Sequence, residues 1–222
     1  MIKEHRAFEP ISKDTIIWQY MPFIKFISLL REQKLYFNRI DNFKDKTECT
    51  LTAIDKKIFR YTKDSESYWD NERKRHFINC WIESDYELAL MWETYGKDGI
   101  AIKTTIGDLY NALAQDKDNT QYIARVKYID EQNESSQDIG TAKNALKVPM
   151  TKRKYYEQEK EIRLLYVWYD NEDQIGIKFP LDLTCLIKDV RVYPGASQYF
   201  LDVVNKELEL SEIKVVAQFS KI

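Results

Sequence analysis

The stretch KYYEQEKEIRLLYVW, residues 154–168, closes like a buried β-strand and opens on Glu157, Glu159, Glu161 and Arg163. In an extended strand side chains alternate faces, so Glu159, Glu161 and Arg163 share one face, spaced about 7 Å apart. Ile162, Leu164 and Tyr166 fall on the other face and mark it as core. The acidic face must then meet water, a cation, a ligand or Arg163. Two carboxylates beside a core repel each other and lose hydration unless something offsets both costs. Arg163 offers a planar fork suited to Glu161 or to a neighbour across the sheet. Two readings stand: a cross-strand salt bridge, or a carboxylate held rigid for catalysis or ligand orientation.

The surrounding composition narrows the classes. The 222 residues are 44% hydrophobic and 32% charged, with a formal net charge of −2. That balance argues against nucleic-acid or membrane attachment driven by bulk charge. Aromatic content of 14%, with 15 Tyr and 5 Trp, suits a mixed sheet and a stacking site. Cys49, Cys80 and Cys185 are widely spaced, with no CxxC pair and no His/Cys cluster, so neither a disulfide framework nor a zinc site is supported. His76 reads as the start of a strand. The N-terminus MIKEHRAFEP lacks an apolar signal core, and no apolar run approaches the roughly 20 residues of a membrane span. A cytoplasmic protein without membrane contact is the expectation.

Along the chain, strands are expected at 15–20, 35–39, 77–82, 99–103, 122–128, 175–179, 186–193 and 213–219, besides the quoted strand. Helices are expected from Pro22, whose apolar positions Phe23, Phe26, Ile27, Leu29 and Leu30 share a face, and at 87–95, 106–113, within 142–158 and at 198–208. Residues 52–75 read as one or two charged, solvent-exposed helices. Met91, Trp92 and Tyr95 lie at helical spacing and read as a packing stripe. No repeat or Pro/Gly linker divides the chain. The expected fold is one α+β domain over residues 1–222, with a mixed, largely antiparallel split sheet and flanking helices. GxGxxG and GxxxxGK[ST] are both missing, which argues against Rossmann and P-loop sites.

The landmarks Trp18-Gln-Tyr20, Leu35-Tyr-Phe37, Asp45 with Glu48, Asn79-Cys-Trp81, Met91-Trp92 with Tyr95, Gly99-Ile-Ala-Ile102, Lys152-Arg153 leading to Glu159, Glu161 and Arg163, and Tyr193-Pro194 occur in sequence. In this order they resemble a family of short bacterial proteins known only as a domain of unknown function. Two departures stand out: Met21 where the first motif often has Arg, and Lys44-Asp45-Lys46 where Asn-Asp-Pro is common. More distantly, the order strand, apolar helix, "Lys-Leu-Tyr-Phe" strand and late Glu-bearing strand is similar to ADP-ribosyltransferases, among them toxins and defence enzymes acting on protein or nucleic acid. That analogy of pattern implies NAD as substrate, with Glu161 stabilising the developing ribosyl cation and Glu159 positioning or deprotonating the acceptor. It places Gln19 and Tyr20 at the ribose or nicotinamide amide, Tyr36 or Asn38 beside the ring, and Arg163 or Arg39 at the pyrophosphate. A protein or nucleic-acid acceptor, and an antitoxin or defence-system partner, follow from the same analogy.

Two other classes remain open from sequence. One is a metal-dependent nuclease or phosphodiesterase in which Asp45, Glu48, Glu159 and Glu161 gather a divalent ion, although the usual Lys two places after a metal carboxylate is here Glu161. The other is a non-catalytic antitoxin-like or defence module that binds through residues 55–75, with Glu159 and Glu161 ion-paired.

Overall fold

The computed structural model describes residues 2–222 except 4, 47, 59–62, 115–117, 137–145 and 171–172. In chain order, the first half contains β1 (Ile2–Lys3), β2 (Ile16–Pro22), α1 (Phe23–Glu32), β3 (Lys34–Arg39), α2 (Ala53–Ile58), α3 (Lys63–Arg75), β4 (His76–Glu83), α4 (Ala89–Tyr95), β5 (Gly99–Thr105) and α5 (Ile106–Ala112). The second half contains β6 (Gln121–Arg125), β7 (Lys127–Ile129), β8 (Thr151–Arg153), β9 (Glu161–Val167), β10 (Gly176–Pro180), α6 (Leu183–Leu186), β11 (Asp189–Val192), α7 (Gln198–Leu210) and β12 (Gln218–Phe219). Ten of these strands form one mixed, open sheet that runs from the first strand of the chain to the last, and β7 and β8 form a separate parallel pair. No helix among the described residues is long and apolar enough to cross a membrane.

The sheet is split at β4. One edge of β4 pairs with β9 along its whole length, from His76 opposite Val167 to Ile82 opposite Glu161. The other edge is shared. β2 sets Ile17 opposite Glu83 and Trp18 opposite Ile82, while β3 sets Asn38 opposite Ile78 and Arg39 opposite Phe77. Continued in register, Tyr20 and Tyr36 would both fall opposite Cys80, so two strands compete for one position and diverge there. Side chains close the gap instead: Gln19 Nε2 donates to the Cys80 carbonyl at 3.1 Å, and Asn79 Nδ2 donates to the Tyr36 carbonyl at 3.0 Å. This substitution keeps backbone carbonyls paired where the ladder is interrupted.

Alternation along the strands separates two unequal faces. The larger core gathers Ile17, Phe37, Phe77, Trp81, Ile102 and Leu164 under α1, α5 and α7. Helix α1 contributes Phe26, Leu29 and Leu30 at helical spacing and ends where Gln33 turns left-handed at φ 50°. The opposite face carries two smaller apolar clusters. Trp18, Tyr20, Ile82, Met91, Trp92 and Ala101 form one beneath α4; Ile40, Cys49, Ile78, Ala124, Met150 and Leu165 form the other.

Several sequence expectations shift. The strand expected at 122–128 breaks at Val126, and its continuation leaves the sheet to pair with β8. Of the helix expected within 142–158, residues 142–145 lie outside the described residues. The rest is a 3-10 turn at Val148–Met150, strand β8 and a second 3-10 turn at Lys154–Glu159. Pro149 supplies no backbone donor for a longer helix. The strand expected at 186–193 holds only over β11, because Asp182 caps α6 by accepting from the Thr184 and Cys185 amides. The final strand contracts to Gln218–Phe219. Residues 52–75 do form two helices, α2 and α3, but not wholly exposed ones. Asp55 is buried and accepts from the Thr52 and Ser136 amides, and Glu72 is buried and pairs with Arg75 at 2.6 Å.

Gly99, opposite Pro22 in the β2–β5 pairing, marks a close backbone approach: an added Cβ would meet the Met21 carbonyl oxygen at 2.1 Å. Gly99→Ala is expected to destabilise the protein by about 1–3 kcal/mol through that overlap, read as a lower denaturation midpoint with unchanged slope.

Candidate functional site

Between the two smaller apolar clusters, the second face of the sheet holds a buried charge network. Arg163 on β9 is its centre and is fully buried. Its Nε and Nη2 donate to the two oxygens of Glu161 at 2.8 and 3.0 Å. Nη1 donates to the Pro149 carbonyl at 2.6 Å and to Cys49 Sγ at 3.3 Å, and Nη2 also donates to Glu48 Oε1. These five contacts match the five N–H groups of a guanidinium.

Lys152 on β8 is the second cation. Its Nζ lies 2.7 Å from Glu159, 3.2 Å from Glu161 and 3.8 Å from Glu48, and 4.9 Å from the centre of the Tyr156 ring. Three carboxylates thus face two cations, leaving one formal negative charge in excess. Tyr95 from α4 places its hydroxyl 3.4 Å from both Glu159 oxygens. The Tyr128 hydroxyl from β7 accepts the Glu161 amide at 2.8 Å.

The local geometry differs from an uninterrupted strand. Glu159 ends a 3-10 turn, Lys160 adopts φ 45°, and β9 begins only at Glu161. The three-residue alternation predicted from sequence is therefore broken at Glu159. The turn nevertheless returns the Glu159 carboxylate to Lys152, so Glu159 and Glu161 meet through a shared cation.

The environment separates the two carboxylates. Burial works to raise Glu161, but the Arg163 guanidinium and Lys152 prevail and hold it down at about 2. Glu159 moves up: burial drives the shift, Glu161 and Glu48 add to it, and Lys152 opposes it. Burial also works against the charge on Lys152, yet Glu161, Glu48 and Glu159 hold it above the ordinary lysine value. Burial pushes the Cys49 thiol up to about 12 and the Cys80 thiol well above its usual value, so both stay neutral thiols and poor nucleophiles.

Two clefts border the network. The larger, of about 640 Å³, has Glu161 and Tyr128 in its wall, with Glu83, Asp85, Arg125 and Lys160. Arg125 is held by Glu83 through contacts of 2.6 and 2.9 Å. The smaller, of about 30 Å³, is lined by Lys152, Glu48, Arg153 and Tyr156 among others.

The other residues singled out from sequence gather at the split. Tyr20 is buried, accepts the Leu88 amide at 2.9 Å and meets Trp92 edge-on at 5.1 Å. Gln19 is engaged with Cys80, as described above. The Tyr36 ring lies over Gly176, where an added Cβ would come within 2.4 Å of it, and its hydroxyl donates to Asn38 at 3.3 Å. Gln19, Tyr20, Tyr36 and Asn38 line neither cleft, and neither does the buried Glu159, which borders them through Lys152 and Glu161. As a pyrophosphate ligand Arg163 has no N–H to spare. Arg39 is paired with Asp41 at 2.7 Å, and Asp45 with Arg153 at 3.3 Å. Met91 and Trp92 are core, as their spacing predicts, but Tyr95, the third member of that stripe, is partly exposed and turns its hydroxyl to Glu159.

Sequence reasoning missed Lys152, Tyr95 and Tyr128 as parts of the site and marked Glu48 as a landmark and candidate metal ligand, not as a partner of Arg163. Nothing in local spacing ties Glu48 to Arg163, 115 positions later. The one usable signal was Lys152-Arg153 preceding the acidic segment.

With this geometry in view, the architecture is that of an α+β protein with a split, mixed sheet and a buried carboxylate–cation network. Residues 91–164 match a family described as "Protein of unknown function (DUF2971)". The matched stretch contains Tyr95, Tyr128, Lys152, Glu159, Glu161 and Arg163. No curated protein and no solved structure matches the chain.

Two stability measurements test the network. Arg163→Leu leaves Glu161 and Glu48 without their main buried counter-charge and is expected to cost about 3–5 kcal/mol in chemical denaturation. Glu161, depressed from 4.5 to about 2, stabilises the fold above pH 4.5, and that contribution disappears as pH falls through 2. Its size is about 3 kcal/mol. Glu161→Gln is expected to remove that component from the loss of stability between pH 4.5 and 2, leaving the share of other depressed carboxylates such as Asp55; an unchanged acid slope would show that Glu161 is not depressed.

Proposed function

We propose that the chain is an NAD-consuming enzyme that transfers ADP-ribose to a protein or nucleic-acid acceptor, in the role of a toxin or an anti-phage effector. The observation that carries this reading is the position of Glu161. It stays ionised to low pH, yet it forms part of the wall of a cleft of about 640 Å³. That volume lies in the range of small-molecule sites, roughly 300–1,000 Å³. A fixed negative charge at such a wall suits a reaction that develops positive charge on a sugar ring.

The roles then divide as the environments do. Glu161, braced by Arg163, supplies the electrostatic field. Glu159, displaced upward, is the better proton acceptor. In the transfer, the nicotinamide–ribose bonding pair leaves with nicotinamide. A lone pair of the acceptor forms the new bond to the ribose carbon, and the acceptor proton passes to Glu159. A pyrophosphate would have to meet Lys160 and Arg125, the latter already held by Glu83, in a wall that also carries Asp14, Asp85 and Glu157.

A second reading has its own observation: both Glu161 oxygens are already engaged by Arg163, and one of them also by Lys152. On that reading the network is a brace, and the protein is a non-catalytic binding module. The metal-dependent nuclease reading has less behind it. Among the described residues no group of three His, Cys, Asp or Glu side chains is arranged to hold a metal ion.

Labelled NAD incubated with purified protein and cell extract separates the two. The enzyme reading expects nicotinamide release and label transfer from wild type, reduced about 100-fold or more in Glu161→Gln. Because that variant is also expected to lose stability, Glu159→Gln serves as a second test. Wild type that releases no nicotinamide, across protein, RNA and DNA acceptors, overturns the reading. The brace reading expects both variants to change stability alone.

A further inference from the structure

We propose that Lys152 is the positioning residue of this site, holding Glu159 in the ionised, proton-accepting form. The proposal rests on the reading of Glu159 as proton acceptor and assigns a role to a side chain outside the reacting pair. The geometry separates the two cations of the network. Arg163 spends all its N–H groups on Glu161, Glu48, Cys49 and Pro149, and none reaches Glu159. Lys152 is the cation that reaches it, at 2.7 Å, and the same ammonium bridges to Glu161 at 3.2 Å.

The groups that face Glu159 come from every side. Glu161 lies on β9, Lys152 on β8, Tyr95 on α4, Tyr128 on β7, and Glu48 on a flanking segment. Glu48 and Glu161 oppose ionisation of Glu159, as does burial. Tyr95 stands 3.4 Å away and itself remains protonated because burial raises its hydroxyl. Lys152 alone among these neighbours supplies both a hydrogen bond and a full positive charge to the Glu159 carboxylate. Its own tether is firm: Tyr156 covers it through a cation–π contact at 4.9 Å, and β8 pairs with β7. Burial and two acidic neighbours thus push Glu159 up while Lys152 opposes its protonation, the kind of opposed influence that tunes a general base.

The test compares wild type, Lys152→Met and Lys152→Arg, with Glu159→Gln to assign the signal. Titration of the Glu159 side-chain carbonyl by carbon-13 NMR reads its ionisation without any substrate. Lys152→Met is expected to move that titration upward by more than about one pH unit, and Lys152→Arg to bring it back. No movement in Lys152→Met overturns the proposal. With NAD, Lys152→Met is expected to lower kcat about 100-fold near neutrality with little change in KM, and to move the acid limb of the rate profile to higher pH. A uniform loss with an unshifted limb overturns the positioning role. Wild type that fails to turn over NAD, while the titration still moves, removes NAD from the site and leaves the pairing of Lys152 with Glu159 standing.

Discussion

A fully buried guanidinium is the constraint on which this structure turns. Arg163 sits at 0% exposure on a central strand, where an unpaired cation would be prohibitively costly. The fold meets that requirement by bringing Glu48 and Cys49 from one segment and Pro149 from another onto the sheet, while Glu161 supplies the bidentate partner. Cys49 itself adopts φ 57°, an uncommon conformation for a side-chain-bearing residue, at the point where its sulfur meets Arg163. Two connecting segments are thereby fixed over one face of the sheet.

The split at β4 is the second constraint, and it is geometrical. β2 and β3 approach the same edge in registers that collide at Cys80, so the ladder gives way to amide side chains from Gln19 and Asn79. Cys80 lies opposite Arg163 across the β4–β9 pairing, which sets the interruption next to the charge network. The sheet is thus least regular beside its most charged interior. Strained or irregular pairing beside buried charge is a common setting for functional groups.

Much of the scaffold was legible from periodicity. The apolar spacing of α1 and the extents of β3, β4 and α4 were all read within two residues of their observed ends. The charged segment at 52–75 was recognised as helical. Its buried acids Asp55 and Glu72 were not, because a charged residue in a polar run carries no local sign that a distant serine or neighbouring arginine will cover it. Among the described residues, the least legible region was 146–159. There Pro149 and the left-handed Lys160 break regular structure into short turns, and short turns leave little periodic signal.

The site divides in the same way. Sequence by itself marked Glu159, Glu161 and Arg163 as a group out of place at a core strand, since ionisable residues next to Ile162 and Leu164 demand partners whatever the fold. It also determined the α+β class, because hydrophobic periods of 3.6 and 2 are local properties of the chain. Only the tertiary structure decided which partners answer that demand. Lys152, Glu48, Tyr95 and Tyr128 come from four separate segments, and their meeting depends on register, on the left-handed turn at Lys160 and on the departure of β7 from the main sheet. Burial and charge pairing act through space, and a linear pattern holds no record of distance between segments until packing sets it.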